Sequence, residues 1–369
     1  MIRTYTYKLY SNKRVESKFN KWLGICRYVY NVAKETKEVA YQSGVTLSEN
    51  NLSKQLTEAK KEFPWLADVH SQTLQSVIEQ LDNSYKNFFS GRAKYPKWAS
   101  KRLWKSFSFK QGNVTRANPK GTLRQTDKGF ILPKFGEVKV FNNRVVDGQI
   151  KIARLIKKAG SIYLHVEAKI EDKVYCTNEN QVGIDMGVTF FAVTSDGEYV
   201  DNPKFLGRQL KKLRVEQRKL SRKFKKGERQ SKNFYKQVKV VARLHKKVAD
   251  ARKDFLHKQS THFATNYSTV MHEDLKIKPM IKSEYSKYIN DVSWGAFFEM
   301  LYYKTKVIKV NPAYTSQTCS VCGHVDKDNR KTQDRFKCTA CGHSENADFN
   351  AAKNILKVGA PTVNGNVAH

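Results

Sequence analysis

No apolar run in the 369 residues approaches the roughly 18 that a membrane helix requires. The opening stretch, MIRTYTYKLYSNKR, lacks the apolar centre of a secretory signal, and no lipidation motif or isolated amphipathic anchor stands out. These absences argue against a membrane and set the expectation of a soluble protein made in a reducing, cytoplasmic compartment. Acidic residues are also scarce: 34 Asp and Glu face 68 Lys and Arg, leaving a net charge of +34. A compact chain so charged repels itself unless an anionic partner neutralises it. Long polyanions do this efficiently because each neutralised phosphate releases a condensed counterion, so nucleic acid is the expected partner. Hydrophobic residues at 40% and aromatics at 12% supply enough material for packed cores, which excludes wholesale disorder. The length suits two to three domains of roughly 100–200 residues each.

Only six cysteines are present, and four of them share one window. Cys319-x2-Cys322 and Cys338-x2-Cys341 are separated by fifteen residues, a spacing that reads as a four-thiolate Zn²⁺ site with Gly323 and Gly342 turning each knuckle. His324 and His343 follow those glycines, but four thiolates already fill a tetrahedral shell. Cys26 and Cys176 lie elsewhere and read as bystanders.

Along the chain, IRTYTYKLY alternates as a strand, and residues 12–92 carry helical periodicity, with Leu74, Val77, Leu81, Tyr85 and Phe88 as one stripe. Residues 105–175 break into short strand signals: SFSFK, GFILP, EVKVF, QIKIARLI and SIYLHVEAKI. QVGIDMGVTFFAVTSDGEYV then reads as two strands with an Asp196-Gly197 turn. A helical pair follows, its stripes being Leu206, Leu210, Leu213, Leu220 and Phe224, then Val238, Val241, Val248 and Phe255, with Gly227 between. Residues 204–258 hold 21 Lys and Arg and 4 acidic residues, a net +17 and half of the whole charge. That imbalance is too large for mutual salt bridging and favours a phosphate-facing helical hairpin over a merely solvated one. A strand (STVMHEDL), a helix (WGAFFEMLYYKTK), a strand (VIKVNPAY), the cysteine hairpin and a last helix (FNAAKNILK) complete the order, with a disordered tail expected from Gly359.

This order of elements from residue 181 suits an RNase H-like α/β core, which holds acidic residues at strand ends and on a late helix. In-line hydrolysis of a phosphodiester by two divalent ions requires several converging carboxylates, because hard Mg²⁺ prefers oxygen ligands. Asp185 interrupts an apolar strand, although Gly187 leaves a turn open as its explanation. Glu273 and Asp274 both end STVMHEDL, and alternation lets only one of them face a site. Asp348 precedes the last helix, where a plain N-cap is the competing role.

GIDMGV, HEDL, VNPAYTSQTCSVCGHVDKDNRKTQDRFKCTACGH and ENADFNAAKNIL together closely resemble the TnpB family, the transposon-encoded RNA-guided relatives of type V CRISPR nucleases. The likeness extends to LHKKVADARKDFLHKQSTHF, YPKWASKRLWKSFSF and GICRYVYNVAKE, and so covers nearly the whole chain. It implies a RuvC-type triad of Asp185, Glu273 rather than Asp274, and Asp348, holding Mg²⁺, with Cys319, Cys322, Cys338 and Cys341 holding structural Zn²⁺. Arg330 is implied as a scissile-phosphate contact. Ser71, Gln72 and Gln75 are candidate contacts to a flanking DNA motif, since Gln can pair bidentately with adenine. The implied architecture is a β-barrel-like wedge domain (1–10 and 94–178), a helical recognition lobe (11–93), and a RuvC-like nuclease domain (179–318 and 343–358) bearing the basic hairpin 204–266. A zinc-binding hairpin (319–342) and the tail 359–369 complete it. The implied partners are a transposon-derived guide RNA and double-stranded target DNA, bound by a monomer near the nucleoid of a prokaryotic cell.

Other readings separate on particular residues. A nuclease-dead, RNA-guided repressor requires a lost carboxylate, and all three are present. The zinc spacing and the FNAAKNIL ending speak against a DDE transposase on the same core. A single-strand transposase of the HUH type needs His-x-His, which none of the nine histidines forms. A purely structural zinc-ribbon RNA binder has no need of carboxylates at 185, 273 and 348.

Overall fold

A computed structural model describes residues 1–110, 123–171, 174–275 and 292–363. The chain divides into two compact units, Met1–Asp172 and Lys173–His369. Among the described residues no helix is long and apolar enough to cross a membrane.

The first unit opens with β1 (Ile2–Leu9), followed by α1 (Lys13–Gln42), α2 (Glu49–Glu62) and α3 (Ser71–Phe89). Six strands follow: β2 (Ser106–Phe109), β3 (Arg124–Thr126), β4 (Gly129–Leu132), β5 (Gly136–Phe141), β6 (Gln149–Lys158) and β7 (Ser161–Lys169). They form one antiparallel sheet in the order β2-β6-β7-β1-β5-β4-β3. Strand β7 shows why: Ile162, Leu164, Val166 and Ala168 alternate inward along SIYLHVEAK. Helix α1 starts where the Asn12 side chain accepts a hydrogen bond from the Val15 N–H at 2.9 Å. Its Trp22 packs edge-on against Phe135, with ring centroids 5.2 Å apart, and beside Phe107 and Phe109. On α3, Leu74, Val77, Leu81 and Tyr85 are buried as their spacing predicts.

The second unit contains β8 (Gln181–Asp185), β9 (Phe190–Thr194), β10 (Tyr199–Asp201), α4 (Phe205–Arg222), α5 (Lys232–Asn266) and β11 (Thr269–Glu273). It continues with α6 (Trp294–Tyr302), β12 (Lys306–Val310), β13 (Arg335–Lys337), β14 (Ser344–Asn346) and α7 (Ala347–Val363). The main sheet runs β10-β9-β8-β11-β12. The first three strands form an antiparallel meander, whereas β11 lies parallel to both β8 and β12. The meander turns at Gly197, whose φ of +88° suits a residue without Cβ.

Alternation assigns the two faces of this sheet. Val182, Ile184 and Val270 face α5 and α6, joining Phe263 and Phe297 in one core. Full burial of a phenylalanine of this kind contributes about 1.5–3 kcal/mol. The opposite face, through Gly183 and Met271, meets α7. A Cβ on Gly183 would lie 2.3 Å from the Ala352 carbonyl oxygen, so only glycine lets the helix backbone sit directly on β8.

Two expectations are corrected. The tail does not begin at Gly359, because α7 continues to Val363; residues 364–369 lie outside the described residues. Gly359 is no helix stop here. A Cβ at that position would lie 2.5 Å from the Met271 sulfur, so the residue serves close packing of helix on strand. In the basic hairpin, Val238 is exposed while Gln237 is buried. The Gln237 amide donates to Glu216 Oε2 at 2.6 Å, so a polar contact joins α4 to α5 where an apolar one was expected.

Candidate active site and cysteine centre

The residues at 185 and 273 end two neighbouring parallel strands. The register sets His272 beside Ile184, bringing the carboxyl ends of β8 and β11 together. In an α/β sheet this edge is where ligands bind. Asp185 is still paired with Val193 of β9, so it is a strand residue and not part of a turn. It shares a face with Gly183, and Glu273 shares one with Met271, so both carboxylates lie on the α7 side. Their neighbours look the other way. His272 is buried and stacks on Phe298 of α6 at 3.6 Å, and Asp274 is exposed and paired with Lys309 at 3.2 Å.

Asp348 lies in the first turn of α7, but it does not cap the helix. The Asn346 side chain accepts from the N–H groups of Asp348 and Phe349 at 3.0 and 3.2 Å. The Asp348 carboxylate is thereby left for other work, and it pairs with Arg330 at 3.0 Å. Arg330 is held by its own hairpin: its guanidinium also donates to the Gln333 carbonyl at 2.9 Å. The preceding residue, Asn329, is buried and ties the hairpin to itself through the Gln317 carbonyl at 2.8 Å and the Thr339 N–H at 2.8 Å.

The electrostatics of this corner oppose charge. Burial first, then Glu273 and Asp348, push the Asp185 carboxyl up to about 7, against the pull of Arg330. Burial also raises Glu273, opposed by the Thr315 hydroxyl and by Arg330. Asp348 is raised by burial as well, and Arg330 again opposes the shift. Such a set of oxygen donors, each disfavoured as an anion without a counter-charge, is chemically suited to a hard divalent cation. Thr315, buried beside Glu273, is a site residue that sequence reasoning passed over. No periodicity or spacing marks it. Gly183 was passed over as well, although a glycine inside an apolar strand is a signal that marks close backbone approach.

The cysteines make a second centre. The ligand atoms of Cys319, Cys322, Cys338 and Cys341 all lie within 4.8 Å of one another, the only such group of three or more metal-binding side chains among the described residues. The three carboxylates are not gathered that tightly. The sulfurs of Cys319 and Cys341 are 3.7 Å apart, and those of Cys322 and Cys338 are 3.6 Å apart. A disulfide requires about 2.05 Å. A tetrahedron with metal–sulfur bonds of about 2.3 Å has edges of about 3.8 Å, so the donor set fits Zn²⁺. The two knuckles are near copies. Gly323 N–H donates to the Cys319 carbonyl at 3.0 Å and Gly342 N–H to the Cys338 carbonyl at 3.1 Å, with φ of +77° and +75°. His324 and His343 instead lie beside Asp326 and Glu345.

The other predicted contacts sit in the first unit, on the first two turns of α3. Ser71 and Gln75 are exposed and Gln72 is half-buried; Lys60 donates to the Ser71 hydroxyl at 3.0 Å.

Comparison with known proteins adds a family to this geometry. Residues 164–284 match the OrfB_IS605 family model, described as a probable transposase, and residues 294–355 match a Cas12f1-like TNB domain. Residues 1–45 match a helix-turn-helix domain, although β1 and the single helix α1 are what this segment forms. A protein of Escherichia coli (strain K12) named "Putative RNA-guided DNA endonuclease InsQ" is 32% identical, covering 97% of this chain and 92% of its own. The "TnpB-like protein MJ1635" of Methanocaldococcus jannaschii is 34% identical over 33% of this chain and 30% of its own. This chain belongs to the TnpB family. The CRISPR-associated endodeoxyribonuclease Cas12f1 of Sulfoacidibacillus thermotolerans is similar to the TnpB chain at 30% identity, over 60% of this chain and 56% of its own.

Proposed function

We propose that the chain is an RNA-guided DNA endonuclease of a transposon, hydrolysing DNA at a RuvC-like centre built from Asp185, Glu273 and Asp348. The observation that carries this reading is the meeting of β8, β11 and α7 at one corner, where burial and mutual repulsion push Asp185 up to about 7. The names borne by its relatives support the choice of substrate and guide. The sheet order, a meander followed by parallel strands, supports an RNase H-like core.

Asp185, Glu273 and Asp348 would hold Mg²⁺, which when bound supplies an activated water and stabilises the leaving oxygen. The chain's own residues do the rest. The three carboxylates supply the negative charge that draws the cations in and fixes them on rigid strand ends and a helix turn. Arg330 balances that charge through Asp348, and its guanidinium would take a phosphate oxygen of the scissile strand. Cys319, Cys322, Cys338 and Cys341 would hold Zn²⁺ and so fix the hairpin that presents Arg330. Residues 1–10 and 94–178 serve as the wedge and 11–93 as the recognition lobe, with Ser71, Gln72 and Gln75 meeting the flanking DNA motif. The cationic helices α4 and α5 neutralise nucleic-acid phosphates, and the working unit is one protein with one guide RNA.

The test begins with the RNA that copurifies with the full chain from cells carrying the DNA that flanks its gene. A single discrete species ending in a variable segment is expected. The resulting complex should cut matched DNA in Mg²⁺, and Asp185→Ala should lower cleavage at least a thousandfold while leaving guide and target binding within about threefold. A random RNA mixture, or an active Asp185→Ala complex, would defeat the reading.

A further inference from the structure

Thr315 lies between β12 and the first cysteine pair and is only 3% exposed. Its hydroxyl is in hydrogen-bond contact with Glu273 Oε1 and lies 3.1 Å from the Pro312 carbonyl oxygen. A hydroxyl has a single proton to donate, and the carboxylate oxygen is the closer acceptor. A bond to an ionised acceptor is also roughly twice as strong as one to a neutral carbonyl.

The main chain around Thr315 is equally fixed. The Asn354 amide donates to the Thr315 carbonyl at 2.9 Å and to the Thr318 carbonyl at 2.7 Å. The Asn350 amide donates to the Thr318 carbonyl at 2.8 Å, and its oxygen accepts from the Ser320 N–H at 2.9 Å. Both asparagines are buried on α7, the helix whose first turn carries Asp348. The FNAAKNIL segment therefore does more than pack. Its two amides grip the root of the cysteine hairpin, and that root grips the carboxylate on β11.

We propose that Thr315 is the positioning residue of Glu273. Its hydroxyl holds Oε1, restricting the side-chain torsions and leaving Oε2 as the oxygen free to hold a cation, and it ties that orientation to α7 and to the cysteine hairpin. This rests on the assignment of Glu273 to the hydrolytic centre. An aliphatic replacement of the same shape removes the bond and leaves the carboxylate free to turn. Loss of a group that orients a metal ligand typically costs 10–100-fold in metal affinity or activity.

The experiment compares Thr315→Val, Thr315→Ser and Glu273→Ala in the guide-RNA complex, measuring single-turnover cleavage across a Mg²⁺ series. Mn²⁺ binding to the full chain without RNA is followed by electron paramagnetic resonance, with Asp185→Ala as background. Thr315→Val is expected to cut 10–100-fold more slowly, to require several-fold more Mg²⁺, and to bind Mn²⁺ correspondingly more weakly. Guide and target affinities should not move, and Thr315→Ser should restore the rate to within about threefold. Should Thr315→Val fail to fold, Thr315→Ala is tested instead; it also removes the fixed hydroxyl, and because a water can partly replace that donor the expected loss is smaller, at least several-fold in rate and in Mn²⁺ binding. Wild-type rates and Mn²⁺ binding in Thr315→Val, with Glu273→Ala inactive, would overturn the proposal. So would a Thr315→Ser complex as slow as Thr315→Val, which would assign the effect to packing. An active Glu273→Ala complex would instead remove the assignment beneath it.

Discussion

Asp185 stands at the end of an apolar strand, with burial and two further carboxylates opposing its charge and one arginine favouring it. Its pKa in the fold, pushed up to about 7, is above its value in the unfolded chain, so the native state holds the proton more tightly. The fold therefore loses stability as pH rises from about 4 to about 7, and the full cost is present above that window. Glu273 and Asp348, both raised, act in the same direction. At about 1.4 kcal/mol per pKa unit, the cost at Asp185 is of order 4 kcal/mol. Asp185→Asn should accordingly raise the melting temperature of the full chain at pH 8 in magnesium-free buffer without chelator. The gain should shrink towards pH 5, and Mg²⁺ should stabilise the wild type more than the variant. A gain independent of pH would mean that the charge of Asp185 is not what strains this corner.

At the scale of elements, the six cysteines divide into three environments that a thiol reagent can count. Cys176 is half-buried, four cysteines are gathered in the hairpin, and Cys26 is buried in α1 with its thiol pushed up to about 12 by burial. With zinc in place, native chain at pH 8 should react at about one thiol, Cys176, since coordinated thiolates are protected. Removal of the metal should bring the count to about five and lower the melting temperature, because zinc binding is coupled to folding of the hairpin. The sixth thiol should react only on denaturation. Five reactive thiols before metal removal would sink the zinc centre. Elements like these were largely legible in the sequence, since paired cysteines, alternating strands and acidic strand ends are local patterns. The roles of Thr315, Gln237 and Gly359 were not. Each depends on a partner 42, 21 or 88 residues away, on Glu273, Glu216 or Met271. No local pattern reports which helix will lie against which strand.

Across the molecule the dominant quantity is charge, +34 in all with half of it between residues 204 and 258. On α4, at 100° per residue, Lys211, Arg214, Arg218 and Arg222 fall on one face, opposite the buried Leu213. All four are exposed, and α4 as a whole carries a single acidic residue, Glu216, which is engaged by Gln237 and Lys219. If this face meets RNA phosphates, each contact contributes about 0.7–0.9 to the slope of log affinity against log salt. Replacing the four by Gln should flatten the guide-RNA slope by up to about three and weaken binding most at 50 mM salt. The melting temperature of the free chain should hold or rise, because self-repulsion falls. Filter binding between 50 and 200 mM salt reads the slope directly. An unchanged slope would mean that this face of α4 is a solvated surface and that the guide is held elsewhere on the chain. A slope flattened by three, with cleavage intact at saturating RNA, would separate guide binding on α4 from cutting at the proposed carboxylates.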